Sequence, residues 1–433
     1  MSFDELWRRD PFVVSLHCDK GKPLDLSKFL GRFLDEVEQV TTNGMFYKGT
    51  SISVRLTAIV CDAPARSFVK RIKGHTGYHG CERCCQKGLH IEGRMTFPEL
   101  DAPLRTDESF RNRDDPYHHV GDSPFVQLGV DMISVFPLDY MHLVCLGVMR
   151  RLLQTWVRGR GSLKTAQQQK LNKRLKACAK AFSQHFQRKP RGVDEVDRWK
   201  ATEFRTFLLY VGPVVLKGLL PDHQYEHFLL FHVATRILAS PAHHIEHNSF
   251  ARDLLHFFVQ EYGTSSLYGA RQLTYNVHSL CHLAEECLTH GPLDAFSAFP
   301  FENFLGKLKR LLRTKTKPLS QVSRRVSENV GGTLFPTPSP EPDTMHEGSC
   351  YLLDNSPAII VKVSGNTCEA APLKNARDFF TVPVKSTALN IFRTDDTDTY
   401  VMKLELSDLS RDQQCLLLRC KPGYVVVKLL HMQ

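Results

Sequence analysis

Two short apolar stretches near the start of the chain flank a segment whose hydrophobic residues recur at helical spacing. The stretches are 11–18, PFVVSLHC, and 51–60, SISVRLTAIV; both are rich in β-branched residues and bounded by turn formers, which predicts two strands. Between them, residues 24–40 place apolar side chains three and four positions apart, which predicts an amphipathic helix. The order strand, helix, strand predicts an α/β core with parallel pairing.

The periodicity changes twice further along the chain. Residues 63–135 are rich in Gly, His, Cys and Pro and show few long apolar periods. The Pro-rich segment 331–349 predicts a linker, and the short alternating runs of 350–433 predict a small all-β module, a compact barrel or sandwich. Between Phe136 and about Leu312 the spacing is mainly helical, and it predicts helices over 139–157, 164–187, 202–220, 223–239, 247–262 and 271–289.

Composition narrows the class of protein. With 433 residues, of which 42% are hydrophobic, the chain is long enough for two or three globular domains. Its apolar runs all fall short of the roughly 20 residues that cross a bilayer, so we expect no membrane partner. Its 13 cysteines are too sparse for a secreted disulfide scaffold. We therefore expect an intracellular, reducing location, where cysteines are core thiols or metal ligands.

Positive charge is concentrated in two segments that contain no Asp or Glu. Residues 140–193 hold 13 Lys and Arg and residues 303–326 hold 8, which is 21 of the 56 basic residues, so the rest of the chain is net negative. Such segregation is typical of a protein that binds a polyanion, most often nucleic acid, although solvated helical faces are the alternative. The residues that we expect to contact DNA are Arg150, Arg151, Lys173, Arg174, Lys307, Lys309, Arg310 and Arg313.

A Cys-x-x-Cys motif, Cys81 and Cys84, lies in the Gly-flanked sequence GHTGYHGCERCC. Two thiolates at this spacing can reach one tetrahedral Zn²⁺, and a complete site needs two further ligands. No second Cys-x-x-Cys follows, so the further ligands would be histidines. The motif predicts a zinc site, and the alternative is a turn that carries core thiols. The nearest histidines are His75, His79, His90, His118 and His119.

Two predicted helices add further side chains that can bind metal. Asp139, His142 and Cys145 fall at i, i+3 and i+6, where they either complete the zinc site or pack in the core. His278 and His282 are at i and i+4, but the segment lacks the Glu of a metalloprotease helix, so we interpret this pair as capping and packing residues. The predicted zinc ligands are Cys81, Cys84, His118, His119 and His142.

Two carboxylates have the context of a catalytic metal site. Asp62 follows the predicted strand 51–60, and Glu302 stands at the start of an amphipathic helix whose polar face is basic. Carboxylates from a strand end and a helix can hold two divalent cations that activate water for phosphodiester cleavage. In the alternative interpretation, Asp62 is a turn former before Ala-Pro, and Glu302 is a surface residue favoured by the helix dipole.

Five motifs occur in order along the chain: AIVCDAPAR, GHTGYHGCERC, FPLDYMHLVCLGVM, NVHSLCHL and FPFENFLGKLKRLLR. Together they resemble a transposase of the CACTA (En/Spm) type, a family with domesticated copies in animal genomes. The resemblance runs from about Pro11 to Arg325. It implies a ribonuclease-H-like core with three acidic ligands for Mg or Mn, interrupted by a helical insertion. By motif match, Asp62 corresponds to the second acid and Glu302 to the third.

The resemblance also implies an incomplete core. The family's first acid precedes the strand that matches 11–18, and this chain starts too close to that point to include it; Asp4, Asp10 and Asp19 are poor substitutes. The implied organisation is the N-terminal part of the core at 1–63, a Cys/His-rich segment with the zinc site at 64–135, a basic helical insertion at 136–295, a core-closing helix with the last acid at 296–330, the linker at 331–349 and the β module at 350–433.

The sequence therefore predicts a transposase-derived DNA-binding protein that is catalytically inactive because its first metal-binding acid is missing. The resemblance implies DNA as the partner, and together with the basic charge it implies a nuclear location; a homo-oligomer stays open. Two alternatives stay open. One is an active Mg- or Mn-dependent DNA transposase in a longer form of the protein, and the other is a non-catalytic scaffold that binds proteins through its β module.

Overall fold

The computed structural model describes residues 11–159, 162–182, 186–314, 316–328 and 346–430. Among these, one compact unit contains 11–88, 101–139 and 296–328, and a second contains 89–100, 140–295 and 346–430. Asp4, Asp10 and most of the predicted linker 331–349 lie outside the described residues. No helix within the described ranges combines the length and the apolar character needed to cross a membrane.

The first unit is built around one cluster of buried apolar side chains. The predicted N-terminal helix forms as Leu26–Asn43, and Asp25 caps it by accepting a hydrogen bond from the Lys28 N–H at 2.9 Å. This helix contributes Leu34 to a core that also contains Ile72, Phe110, Phe125, Met132, Ile133, Val135 and Phe136. The unit's other elements are the helices Ala63–Lys70, Asp107–Asn112, Phe299–Arg310 and Pro318–Glu328 and the strands Met45–Tyr47 and Thr50–Ile52.

Neither predicted N-terminal strand forms over its full length. The prediction at 11–18 is wrong, because these mostly exposed residues pair with no strand among the described residues. Of the second prediction only Thr50–Ile52 is a strand, and it pairs antiparallel with Met45–Tyr47. The tight turn at Lys48 and Gly49, with φ angles of 44° and 82°, folds the chain back into this hairpin.

The segment 53–60 is extended but forms no strand ladder. Ile59 N–H donates to the carbonyl of Val135 at 2.7 Å, and Cys61 makes a single parallel bridge with Leu138. The expected parallel pairing is therefore reduced to one bridge in the part of the chain that is described. The fold is mixed α/β, and the ribonuclease-H-like core stays a prediction.

The α-helices of the second unit follow the predicted ones closely. The predicted helices 223–239 and 247–262 form as Asp222–Ala239 and Asn248–Tyr262, and two others contain the π-helical stretches Met141–Met149 and Phe207–Val211. The other α-helices are Arg150–Arg158, Thr165–Cys178, Ala201–Thr206, Gly212–Leu216, Tyr275–His278 and Leu283–His290, and a hairpin joins the strands Leu89–Ile91 and Arg94–Thr96.

The predicted β region is one antiparallel sheet of eight strands within the described residues. It packs on the helices of the same unit: the buried Arg236 donates through Nη1 to the Leu209 carbonyl at 2.9 Å and through Nη2 to the carbonyls of Leu389 and Lys428, both at 3.1 Å. In spatial order the strands are Met402–Glu405, Thr367–Pro372, Ser356–Ser364, Cys350–Leu353, Gln414–Arg419, Tyr424–Lys428, Ile391–Thr394 and Arg377–Asp378.

Candidate metal centre and basic groove

Cys81 and Cys84 lie on a tight, buried turn. Their Sγ atoms are 3.4 Å apart, and the backbone N–H of Cys84 donates to Cys81 Sγ, also at 3.4 Å. The buried Gln86 donates through Nε2 to Cys84 Sγ at 3.7 Å. Hydrogen bonds of this kind orient metal-binding thiolates and disperse their charge. The turn therefore presents two sulfur atoms, each with a donor directed at it.

The two residues between the cysteines hold this turn in place. Glu82 is buried and accepts from Arg66 Nε at 2.7 Å, while Lys70 Nζ lies 3.5 Å from the same carboxylate. Burial lowers the pKa of Lys70 to about 8, against the opposing effect of Glu82. Arg83 donates to two backbone carbonyls, at 2.8 and 2.6 Å. Both intervening side chains are thus fixed by buried charge-assisted hydrogen bonds.

Arg66 connects three of the motifs identified in the sequence. It belongs to AIVCDAPAR, its partner Glu82 belongs to GHTGYHGCERC, and its Nη1 also donates to the carbonyls of Cys61 and Pro137, both at 3.0 Å. Pro137 opens the PLDYMH part of the third motif. Residues of the three motifs thus belong to one hydrogen-bonded assembly beside the cysteine turn.

His278 and His282 place their Nε2 atoms 3.2 Å apart, and both rings are buried. The helix Tyr275–His278 ends at the first histidine, and a 3₁₀ turn, Ser279–His282, carries the chain to the second. A 3₁₀ stretch between α-helical segments often marks a functional position. The centroids of the Phe97 and His278 rings lie 5.9 Å apart.

These two pairs form one group of candidate ligands. Cys81, Cys84, His278 and His282 each offer one ligand atom, and all four atoms lie within 4.8 Å of one another. All four side chains are buried, and the group could hold a metal ion. Two thiols and two imidazoles are a donor set that Zn²⁺ takes in structural sites. Burial raises the pKa of the Cys81 thiol, and the hydrogen bond with Cys84 raises it further, whereas a divalent cation would favour the thiolate.

The histidines predicted as zinc ligands are not members of this group. His118 is fully buried, its Nδ1 lies 2.7 Å from the His79 carbonyl oxygen, and burial lowers its pKa to about 3, so the ring is neutral. His119 is half-buried, and burial also lowers its pKa. His142 is half-buried on the π-helical stretch Met141–Met149. Of the predicted zinc ligands, Cys81 and Cys84 thus belong to the group of four, whereas His118, His119 and His142 lie outside it.

A second group of candidate ligands lies near the surface of the second unit. His243, Glu246 and His247 place one ligand atom each within 4.8 Å of the others, in the turns before the helix Asn248–Tyr262. His243 is half-buried, and the other two side chains are exposed. Unlike the cysteine and histidine group, this one lies open to water.

The two predicted catalytic carboxylates have other surroundings. Asp62 is the N-cap of the helix Ala63–Lys70, and its Oδ1 accepts the Ala65 N–H at 2.7 Å. Glu302 is exposed in the first turn of the helix Phe299–Arg310. Among the described residues neither carboxylate belongs to a group of three or more candidate ligands. A Mg or Mn site at these two residues therefore has no structural support.

Asp139 has a structural role at the start of the same helix. It is buried and accepts the Ala298 N–H at 2.7 Å, directly before the helix Phe299–Arg310. Its carboxylate thereby satisfies one of the backbone donors that a helix leaves open at its N-terminus. The predicted set of Asp139, His142 and Cys145 does not form a ligand group in the described part of the chain.

The predicted DNA-binding residues differ in how exposed their charged groups are to a ligand. Arg174 donates through Nη1 to the carbonyls of Val215 and Lys217, at 2.7 and 2.8 Å, so its guanidinium stabilises the fold. Arg150, Arg151 and Lys307 are half-buried. The exposed members are Lys173, Lys309, Arg310 and Arg313.

A groove of about 570 Å³ brings several arginines of the second unit together. The sequence analysis named Arg150 and Arg151, which come from the helix Arg150–Arg158. It missed Arg94, which lies on a short hairpin far away in sequence. The groove is lined by Arg94, Leu146, Gly147, Arg150, Arg151, Gln154, Thr155, Arg158, Gly159, Gln272 and Asn276.

Comparison with known proteins adds no relative: no protein-family model matches the sequence, and no curated protein matches it.

Proposed function

We propose that this chain is a transposase-derived nuclear protein that binds DNA and that is stabilised by one zinc ion bound to Cys81, Cys84, His278 and His282. The metal part of the proposal rests on the buried group of four ligand atoms within 4.8 Å of one another. Four protein ligands complete a tetrahedral Zn²⁺ shell and leave no position for water or substrate. The zinc would therefore stabilise structure and take no part in a reaction.

The DNA part of the proposal is carried by the exposed cations of the acid-free segment 303–326. Lys309, Arg310 and Arg313 are exposed at and just beyond the end of the helix Phe299–Arg310. Cations in the last turn of a helix are also favoured by its dipole, so the helix is stable while its charges stay available. Phosphate neutralisation by such residues releases counterions and drives binding to nucleic acid.

In this proposal the protein binds DNA, and Asp62 and Glu302 do not catalyse DNA cleavage. The Asp62 carboxylate caps a helix by accepting a backbone hydrogen bond, and Glu302 is exposed in the first turn of another helix. Two-metal cleavage requires carboxylates that share cations about 4 Å apart. Capping a helix is a sufficient role for Asp62 and requires no metal. This favours DNA binding over DNA cleavage as the function of the chain.

Titration of a fluorescent 30-base-pair duplex with the full chain tests this function. Anisotropy measured at 50 and 200 mM salt should show an affinity that falls by about 100-fold, if about four phosphates are neutralised. The triple variant Lys309→Gln, Arg310→Gln, Arg313→Gln should bind more weakly and show a smaller salt dependence. A matched triple variant on the C-terminal sheet, Lys362→Gln, Lys403→Gln, Arg419→Gln, should bind like the parent chain.

Two results would contradict the proposal. The first is a parent chain that does not bind the duplex at 50 mM salt, and the second is an affinity that does not change with salt. Supercoiled plasmid incubated with the chain and Mg²⁺ or Mn²⁺ completes the test. Nicking that disappears in both Asp62→Ala and Glu302→Ala would replace the binding function with a catalytic one.

A further inference from the structure

Two arginines in the groove of the second unit share one neutral hydrogen-bond acceptor. Arg94 Nη1 donates to Gln272 Oε1 at 2.9 Å, and Arg151 donates to the same oxygen through Nη2 at 2.6 Å and Nε at 3.2 Å. Neither guanidinium forms an ion pair with a carboxylate in the described ranges. Two full positive charges thus converge on an amide oxygen that carries only a partial negative charge.

The charges around this pair are mainly repulsive. Burial lowers the pKa of Arg94, and the nearby guanidiniums of Arg151 and Arg271 lower it further. Arg271 has a carboxylate of its own, Glu92, at 3.6 Å. Like charges that are held together by the fold create a site that favours an anion.

The identity of residue 272 distinguishes an anion site from a structural ion pair. A glutamate has nearly the same shape as Gln272 and would pair with Arg94 and Arg151 at once, with stronger charge-assisted hydrogen bonds. The glutamine orients the same two side chains but leaves their charge uncompensated. The arrangement therefore positions positive charge for a ligand from outside the chain.

We infer that this groove binds backbone phosphates of nucleic acid, with Arg94 and Arg151 held by Gln272 as the central phosphate contacts. The inference rests on the proposed DNA function and gives it a location in the second unit. Guanidinium groups suit phosphate oxygens because their planar N–H donors can bind two oxygens at once. Arg150, which is half-buried and lines the same groove, adds a third positive charge.

The size of the groove favours a polymer over a single free phosphate. Arg151 and Arg158 are seven residues apart on one helix, which is about 10 Å along the axis at about 1.5 Å per residue. At this end of the groove Arg158 forms an ion pair with Asp197, and the carboxylate partly neutralises its positive charge. A span of this length accommodates successive phosphates of one strand.

A close approach in the groove wall adds a neutral polar group. A Cβ atom at Gly147 would lie 2.7 Å from Asn276 Nδ2 and 2.9 Å from the backbone oxygen of His142, so a larger residue would displace the amide or the backbone. Gly147 belongs to the π-helical stretch Met141–Met149, and such stretches often occur at functional positions. The Asn276 amide thereby lines the groove beside the arginines, where its N–H groups can donate to phosphate oxygens.

Gln272→Glu is the sharpest test, because it changes fold stability and DNA affinity in opposite directions if the two arginines bind phosphate. The new carboxylate should pair with both arginines and leave the melting temperature equal or higher, while duplex affinity at 100 mM salt falls about tenfold. The double variant Arg94→Gln, Arg151→Gln should also weaken binding and reduce the slope of log K against log salt by about 2, or about 1 for each phosphate that is no longer neutralised. Affinity is measured by fluorescence anisotropy of the full chain.

Gln260→Glu is the matched control, since Gln260 is exposed on the helix Asn248–Tyr262 and the charge change is the same. If Gln272→Glu and Gln260→Glu bind DNA equally well, the groove assignment is overturned while DNA binding stands. If the parent chain does not bind DNA at 50 mM salt, the proposed function itself fails. Poly-glutamate or inorganic phosphate that competes as well as unlabelled DNA at equal charge concentration would overturn the nucleic-acid assignment.

Discussion

Residue type pointed to Cys81 and Cys84 and to the Asp62/Glu302 pair as candidate metal ligands, and the surroundings of these two pairs in the fold are opposite. The two cysteines belong to the group of four ligand atoms that lie within 4.8 Å of one another and are buried. In the second pair, one carboxylate caps a helix and the other is exposed to solvent. A buried polar group carries a large desolvation cost unless it has a partner. Convergence together with burial is therefore a stronger sign of a metal site than residue type.

The difference extends to the neighbouring residues. Around Cys81 and Cys84 the fold supplies N–H donors to both sulfurs and fixes Glu82 and Arg83 by buried hydrogen bonds. The Asp62 side chain instead accepts a hydrogen bond from the helix it caps. The predictions below test this contrast, from the largest expected effect to the smallest.

Loss of a sulfur ligand should have the largest effect. Cys81→Ser is expected to lower zinc affinity by at least about 100-fold, more than the loss of an outer-shell partner of a metal site usually costs. It should also lower the free energy of unfolding, because metal-binding energy contributes to folding. Zinc content after dialysis against a chelator and thermal unfolding measure both effects. Cys85→Ser is the control, since that thiol is exposed and lies outside the group; equal metal loss in both variants would contradict the assignment.

Glu82→Gln tests whether the cysteine turn depends on its buried ion pair. Arg66 and Lys70 would then face a neutral amide, and breaking a buried pair typically costs about 3–5 kcal/mol. Chemical denaturation should show this loss in the free energy of unfolding. The control Glu328→Gln removes the exposed partner of Arg324, and we expect little change there. Similar effects from both substitutions would mean that the turn is not anchored as described.

Acid titration tests a buried histidine, His232, that belongs to neither candidate ligand group. His232 Nδ1 lies 2.7 Å from the Leu208 carbonyl oxygen, its Nε2 has no partner among the described atoms, and burial lowers its pKa to about 3, with Arg236 acting in the same direction. Between about pH 6.5 and 3 the unfolded chain binds a proton here and the folded chain does not, so stability falls as the pH falls.

This loss should reach at most about 5 kcal/mol, the free energy of a shift of about 3.5 pKa units. His232→Asn keeps a side-chain N–H donor for the Leu208 carbonyl and removes the titrating ring, so its stability should depend less on pH over this range. Urea unfolding at a series of pH values measures the difference. An unchanged pH dependence would show that this ring does not stay neutral in the folded chain.

Substitution of the carboxylate pair should have the smallest effects. Asp62→Ala removes a helix cap and should cost about 1 kcal/mol. Glu302→Ala should change stability less, because this side chain is exposed in the first turn of its helix. Thermal unfolding of both variants beside the parent chain checks the order. A larger loss of stability in Glu302→Ala than in Asp62→Ala would contradict this order and would indicate that Glu302 makes a stabilising contact.

The spacing of apolar residues along the chain predicted the helices and the C-terminal strands well, but it did not predict the N-terminal strands. The helices 223–239 and 247–262 were predicted to within one residue, because their apolar faces repeat over several turns. The strand at 51–60 failed because the Lys48–Gly49 turn joins its first residues to the preceding strand. Alternation of apolar residues does not reveal which neighbour a strand will pair with.

The candidate site was predicted only in part, for a similar reason. The turn around Cys81 and Cys84 is local, and its sequence revealed it. The first of the two histidines, His278, lies 194 positions after Cys84, and only the fold brings the pair to the cysteines. The His-x-x-x-His spacing of His278 and His282 was the available signal, since it completes a Cys₂His₂ pattern across a long insertion. Arg94 was missed likewise, because no basic segment surrounds it.

X-ray absorption at the zinc edge of the purified full chain tests the central claim most directly. We predict one zinc per chain with two sulfur neighbours at about 2.3 Å and two nitrogen neighbours at about 2.0 Å. The double variant His278→Ala, His282→Ala should lose the two nitrogen neighbours or the metal itself, whereas His118→Ala should keep both. Zinc that is absent from the parent chain, or an unchanged two-sulfur, two-nitrogen shell in the double variant, would contradict the account.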